Sequence, residues 1–259
     1  VRSFDFHRIS QTHSFSKLYP FKDSIILTLD DDTRSTSTIT LDLSSGEQSS
    51  QEYPQQSLNS AAGRSIKSNS FISKNRLFQV KANKEELIFS VKELSKSESV
   101  VQEYRMQRNE PLTFGGPEIN NWSETTTKNK VFFKELFRGG EYSPIANLSV
   151  SVSSAGNDLF CQVGGYGESE RTVGHVTPSG IPIGGGYAYT VNTYFNTVLD
   201  QKTLAYSGTD ASATTYGKVD RYRKIMSNRI CLETMAHWKG RFIHGYYNIQ
   251  LKSYFVDVY

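Results

Sequence analysis

Apolar and polar residues alternate with a period of two along much of the chain. The alternation is clear in SIILTL (residues 24–29), STITLDL (37–43), ELIFSVKEL (86–94) and NLSVSVS (147–153). β-branched and aromatic residues fill these runs, and Ser, Asn, Asp and Gly separate them, as half-buried strands joined by tight turns require. The sequence therefore predicts an all-β fold.

Helical periodicity is scarce. Two segments, residues 127–137 (TKNKVFFKELF) and 219–235, carry apolar spacings that fit a helix. Both spacings also fit a strand, because short apolar runs occur in either state. These two segments are the candidate helices of the chain.

One stretch of the chain recurs after about 50 residues. LSSGEQSSQEY (residues 43–53) aligns without a gap with LSKSESVVQEY (94–104), and KDSIILTL (22–29) aligns with KNRLFQVK (74–81). Each unit predicts a strand, a polar turn, a second strand that ends in a Leu-Ser turn, and a third strand that ends in Glu-Tyr. Further meanders of this type are predicted at 157–163 with 194–208, and at 239–259.

Meander units with a period of about 50 residues are typical of propeller blades. The pattern of an apolar residue, Asp, a polar turn and another apolar residue also resembles the outer hairpin of β-propeller repeat proteins. This generic resemblance covers about half of the chain and includes no repeated Trp-Asp dipeptide or kelch double glycine. It implies a propeller-like fold and no named family.

The meander units favour a single all-β domain over residues 1–259, with a sub-boundary near residues 108–130. One twisted meander exposes an apolar face on each side, so several must pack together. A β-sandwich or jelly roll whose hairpins look alike is the alternative.

Composition and charge limit the classes of partner and the locations that we expect for the chain. The chain has 29 Lys and Arg against 26 Asp and Glu, a formal net charge of +3, which is too balanced to indicate a nucleic-acid partner. No apolar run reaches the roughly 20 residues that cross a bilayer, so we expect no membrane span. The valine at position 1 and the glycosylation-type triplets at Asn121 and Asn147 favour an extracellular, cell-surface or virion location.

Motifs for catalysis or metal binding are missing. The five histidines show neither HExxH nor zinc-ligand spacing, and no nucleophile elbow occurs. The run of aspartates at residues 30–32 indicates a solvated hairpin turn in preference to a calcium site. Cys161 and Cys231 lie in apolar contexts and can either pair or remain buried thiols. We expect no catalytic residue, no metal and no cofactor.

Glycine and tyrosine provide the candidate binding surface. The glycine-rich run at residues 164–186 predicts a mobile surface loop of the kind that carries recognition on a rigid scaffold. Tyrosines that alternate along a strand can stack on sugar rings or anchor a protein partner. The predicted binding residues are Arg171, His175, Tyr187, Tyr189, Tyr194, Trp238, His244, Tyr246 and Tyr247.

These patterns favour a non-catalytic binding or structural protein of an extracellular surface or virion assembly, which recognises a protein or glycan. One alternative is a secreted carbohydrate-active enzyme with paired carboxylates such as Asp200 and Glu233. Another is a pore-forming toxin with membrane hairpins from residues 36–43 and 148–152. The last strand, at residues 255–259, is expected to pair with another segment or subunit, as in a homo-oligomer or larger assembly.

Overall fold

A computed structural model describes residues 9–59, 65–97, 99–116, 119–121, 125–137, 146–176, 182–211, 214, 216–219, 222, 229–238 and 241–258. These residues form four antiparallel sheets, and none of the four closes into a barrel. The all-β prediction is confirmed. The helices α1 (Ile9–Thr12) and α2 (Asn129–Leu136) accompany the sheets, and residues 216–219 are also helical.

Each sheet is built mainly from neighbouring strands of the chain. The first contains β1 (Ser16–Phe21), β2 (Ser24–Leu29), β3 (Ser35–Asp42) and β4 (Gln48–Pro54). The second contains β5 (Lys67–Ser73), β6 (Arg76–Ala82), β7 (Glu86–Glu93) and β8 (Val100–Gln107). The third contains β9 (Ile119–Asn121), β10 (Thr125–Thr126), β11 (Asn147–Ala155), β12 (Asp158–Val176) and β13 (Pro182–Asp200) in the order β10-β9-β13-β12-β11. The fourth contains β14 (Ile230–Trp238), β15 (Arg241–Asn248) and β16 (Ser253–Val258).

The sequence repeat corresponds to a four-stranded meander that begins one strand earlier than the alternation predicts. β1–β4 and β5–β8 have the same order and the same first turn. In that turn Lys22 and Lys74 both take a positive φ, 54° and 57°, and Gly156 takes 60° at the same place between β11 and β12. Left-handed residues are what a two-residue hairpin turn needs to match the twist of its strands.

A second type of turn also recurs, after the third strand of the first sheet, after β13 and after β15. Asp42, Asp200 and Asn248 each use Oδ1 to accept hydrogen bonds from the backbone N–H groups two and three residues further on. Such side-chain caps favour a tight turn. Four residues after each cap the backbone is left-handed, at Gly46, Leu204 and Lys252.

The sheets pack face to face. We name the face of the second and third sheets that is turned toward the preceding sheet the front face, and the opposite face the back face. In the first sheet, the back face is the one turned toward the second sheet. Ile26 and Tyr53 on the back face of the first sheet form a core with Ile72 and Leu77 on the front face of the second. Gln79 adds polar contacts, because its Nε2 donates to Thr36 Oγ1 at 3.1 Å and to the Tyr53 carbonyl at 3.0 Å.

The main core lies between the second and third sheets. Phe78 and Val80 on the back face of the second sheet belong to one apolar cluster with Leu159, Cys161 and Val163 on the front face of the third. The back face of the third sheet is covered in turn, since Phe160 and Val198 form a cluster with Ala211, Tyr216 and Val219. The second and third sheets are thus buried on both sides.

The repeated Glu-Tyr explains part of this stacking. The Tyr53 hydroxyl donates to the Leu94 carbonyl at 2.6 Å, and the Tyr104 hydroxyl donates to the Leu204 carbonyl. In both cases the tyrosine on the fourth strand of one sheet reaches the third turn of the next sheet. The repeat therefore preserves a contact between sheets as well as a strand.

The segment between the second and third sheets joins the main core. The helix candidate at residues 127–137 is confirmed as α2, whose Phe132, Phe133 and Leu136 are buried. β9 pairs with β13, so this segment widens the third sheet. The other candidate, residues 219–235, is wrong as a helix at its end, because the chain is a strand from Ile230.

Asp30 is buried, contrary to the predicted solvated turn. Its carboxylate accepts hydrogen bonds from Lys17 Nζ at 3.1 Å, from Thr36 Oγ1 at 2.8 Å and from the Ser70 amide and hydroxyl at 3.0 and 2.8 Å. Ser70 belongs to the second sheet, so Asp30 ties two sheets together. Only its neighbour Asp31 is exposed, and Asp32 pairs with Arg34 at the surface.

The described part of the glycine-rich run, residues 164–176 and 182–186, is strand and not loop. Residues 164–176 continue β12 and residues 182–186 begin β13, and the two strands pair from Asp158↔Asp200 to Val176↔Pro182. A Cβ at Gly164 would lie 2.0 Å from the Thr193 carbonyl oxygen. The glycine is required there by close approach of two strands, which sequence composition does not distinguish from flexibility.

We expect Asp30→Asn to lower the free energy of unfolding by about 3–5 kcal/mol, because it leaves the buried Lys17 ammonium without its counter-charge. Urea denaturation measures the change. The matched control is Asp32→Asn, which alters an exposed pair with Arg34 and should leave the midpoint almost unchanged. Equal small effects of the two substitutions would contradict the role of Asp30.

Asp42 should make stability depend on pH in acid. Hydrogen bonds from Ser44 and Ser45 lower the pKa of Asp42 to about 2. Because the folded-state pKa is depressed, this contribution is complete above the unfolded pKa and is lost as pH falls through about 2. In Asp42→Asn the amide can cap the turn, as Asn248 does, without titrating. The difference between the free energies of unfolding of the wild type and Asp42→Asn, measured in urea, should decrease as the pH falls from about 5 to about 2.

Candidate functional site

One cavity lies between β1, β5 and β11, and each of these strands forms the first hairpin of its meander. β5 packs against β11, and Lys17 of β1 donates to Asn69 Oδ1 of β5 at 3.0 Å. α1 packs beside them through Thr12 Oγ1, 2.7 Å from Ser149 Oγ. The cavity between these elements has a volume of about 450 Å³. It is lined by Gln11, Thr12, Ser14, Ser16, Lys17, Leu18, Tyr19, Pro20, Phe21, Phe71, Ile72, Ser73, Lys74, Val152 and Ser154.

Lys17 is a structural cation in the cavity wall. Its Nζ donates to Asp30 Oδ2, to Asn69 Oδ1 and to the Ser14 carbonyl, which uses the three donors of an ammonium group. Burial lowers the pKa of Lys17, and the Asp30 carboxylate opposes that shift. The Lys17–Asp30 pair therefore holds the wall in place and leaves no donor for a ligand.

Lys74 is the cation that the cavity can offer to a ligand. It lies at the first turn of the second sheet and is exposed. No ion pair joins it to any residue within the described ranges. Lys22 occupies the same turn position in the first sheet, but its Nζ lies 5.5 Å from the centre of the Phe21 ring and it does not line the cavity.

Aromatic rings and hydroxyl groups make up much of the remaining wall. Tyr19 and Phe71 pack edge to face with ring centres 5.5 Å apart, and Phe21 lies beside them. Burial raises the pKa of Tyr19, so its hydroxyl stays protonated. Ser14, Ser16, Ser73 and Ser154 contribute hydroxyls. A concave site with apolar rings and a few polar groups is typical of small-ligand sites.

Three predicted binding residues are buried. Tyr194 is 8% exposed, Tyr246 is 5% exposed and His244 is fully buried. Tyr222 covers the last two, with its hydroxyl 2.7 Å from that of Tyr246, and burial raises the pKa of Tyr246. The expectation that these rings are displayed at the surface is therefore corrected, since each points to a face that another part of the chain covers.

Tyr247 lies on the opposite face from Tyr246, as strand alternation requires. It is half-buried and packs against Tyr254 with ring centres 4.9 Å apart. Tyr254 is 69% exposed, so the fourth sheet does present tyrosine at its surface.

The side chains of the other predicted binding residues are outside the described part of the structure. Arg171 and His175 belong to β12, Tyr187 and Tyr189 belong to β13, and Trp238 ends β14. The register places Arg171 opposite Tyr187. Their role in binding stays a prediction.

The described residues do not test the carboxylate pair considered for an enzyme. Asp200 Oδ1 accepts three hydrogen bonds within its own turn, from Lys202 and Thr203, and these bonds lower the pKa of Asp200. The Glu233 side chain is outside the described part of the chain. Nor do the described residues contain a group of three His, Cys, Asp or Glu side chains that could hold a metal ion.

Sequence reasoning missed the cavity residues Tyr19, Lys74 and Ser154. The alignment of Lys22 with Lys74 marks the turn between the first and second strands of two units. Because the alignment marks equivalent hairpins, it could have pointed to the strands β1 and β5 that begin them. The Pro in SKLYPF hides β1 from an alternation search.

Comparison of the chain with protein-family models, curated proteins and solved structures gave no match. The fold and the site therefore define the class: an all-β chain of stacked antiparallel meanders with a cavity between their first strands. Among the described residues no helix combines the length and apolar character needed to cross a bilayer.

We expect Cys161 to be unreactive in the folded protein. It is a free, fully buried thiol, and burial raises its pKa, so the reactive thiolate is disfavoured. In the variant Cys231→Ser, a thiol reagent should label nothing in buffer and Cys161 in denaturant. Rapid labelling under native conditions would contradict the packing of the main core.

Proposed function

We propose that this chain is a non-catalytic binding protein on a propeller-like scaffold, acting at an extracellular surface or in a virion assembly. Its ligand is a glycan, and it binds in the cavity between β1, β5 and β11. The observation that carries the proposal is that β1, β5 and β11 converge on one cavity. It is lined by rings, hydroxyls and Lys74, which forms no ion pair with the residues that the structure describes.

The stacking of the sheets supports a propeller-like scaffold over a sandwich. A sandwich sheet buries one face against one partner sheet, whereas the second sheet here is buried on both faces. Blades of a propeller stack in this way, with the first strand of each blade nearest the axis. The recurring hairpin turns add to this support.

The cavity wall favours an acidic glycan. Its volume of about 450 Å³ lies in the range of ordinary ligand sites. Tyr19 and Phe21 offer apolar ring surface for a sugar, and the serine hydroxyls suit its polar groups. Lys74 adds a positive charge that suits a carboxylate-bearing sugar.

A glycan array tests the proposal, with carboxylate-bearing and neutral glycans compared on the purified chain. Lys74→Asn should weaken binding of the acidic glycan about tenfold, a loss of about 1.4 kcal/mol. Asparagine tolerates the left-handed backbone of this turn. The matched control is Lys22→Asn, in the equivalent turn outside the cavity, which should bind like wild type.

A second pair of variants tests the location without changing charge. Ser16→Tyr places a ring at the cavity wall and should abolish binding, while Ser49→Tyr adds the same ring to exposed β4 and should not. Glycan binding that survives Ser16→Tyr places the site elsewhere. Cleavage of the bound glycan during incubation would contradict a non-catalytic role and favour the carbohydrate-active enzyme.

A further inference from the structure

The front face of the first sheet is apolar and has no covering element among the described residues. Strand register places Leu18, Leu27 and Ile39 in one row across β1, β2 and β3. The next row contains Pro20, Ile25 and Leu41. Leu18 is 68% exposed and Leu41 is 40% exposed. An apolar patch of this extent on a protein surface marks an interaction site.

The equivalent positions on the front face of the second sheet are buried by a neighbouring sheet. Ile72 and Leu77 stand where the first sheet has Pro20 and Ile25, and they are 5% and 0% exposed because the first sheet covers them. The front face of the first sheet is also more apolar than the front face of the second sheet. Ser70 and Gln79 in the second sheet correspond to Leu18 and Leu27 in the first.

The lack of charged residues on most of this face favours a second copy of the same face as its partner. Its positions on β1, β2 and β3 include no charged residue, and Glu52 on β4 lies at one corner, opposite Ser37. A second copy can therefore meet the same face about a two-fold axis without opposing buried charges. In a second copy, the back faces of the first three sheets are already covered, by the next sheet or by Ala211, Tyr216 and Val219.

We propose that the front face of the first sheet is a dimer interface, and that its occupant is the same face of a second copy. Two twisted sheets then pack as in a sandwich, with strands about 30° apart. The contact is isologous, as in most two-fold dimers, so each residue of the face serves both sides. This interface shares Leu18 and Pro20 of β1 with the cavity wall, but the argument for it does not use the proposed glycan.

Light scattering after size exclusion tests the oligomeric state of the purified chain. We expect a dimer whose dissociation constant rises at least about tenfold in Leu27→Lys, since lysine would be buried unpaired at the centre of the interface. The matched control is Val256→Lys on β16, which is 66% exposed on the fourth sheet. This control should remain a dimer.

Thiol labelling gives a second readout if Leu27→Lys does not fold. In Leu18→Cys, the introduced thiol should react at low protein concentration and become protected as the dimer forms. A monomer at every concentration overturns the proposal. So does a dimer that Val256→Lys dissolves and Leu27→Lys leaves intact, because the fourth sheet is then the interface. Protection of the introduced thiol in a monomer also overturns it, because the face is then covered by its own chain.

Discussion

Each meander sheet has two apolar faces, and the structure depends on covering both. Leu77 and Phe78 are neighbours on β6 and are both fully buried, yet they belong to two different cores. A strand with this property needs a sheet on either side. The second sheet is therefore the centre around which the first and third are placed.

Polar contacts fix how the sheets are aligned, which apolar packing alone does not do. Asp30 connects Lys17 with Ser70, and the tyrosines at positions 53 and 104 each reach the following sheet. A buried carboxylate is costly unless its lone pairs are satisfied. The satisfied Asp30 therefore specifies one alignment, and the cavity follows from it, because the first strands then converge without filling the space between them.

Local pattern predicts the elements of this fold, and distant contacts decide the rest. Alternation located β2, β3, β7 and β11, and the repeat revealed the meander. The burial of Asp30 depends on Ser70, which lies 40 residues away, so it could not be read from three aspartates in a row. Alternation likewise placed Tyr246 and Tyr247 on opposite faces, but which one is covered depends on Tyr222. The cavity was missed for the same reason, as it belongs to no single segment.

The recurring turns leave the two ends of each meander unequal. At one end, the first turn is left-handed in the first three meanders, and the third turn is capped and left-handed in the first and third. Changes in length fall at the other end, in the second turn and in the links between sheets, where β12 and β13 extend and α2 is inserted. The rim that carries the longer segments is thus opposite the rim that carries these left-handed turns. A protein engineer who grafts new segments should choose the variable rim.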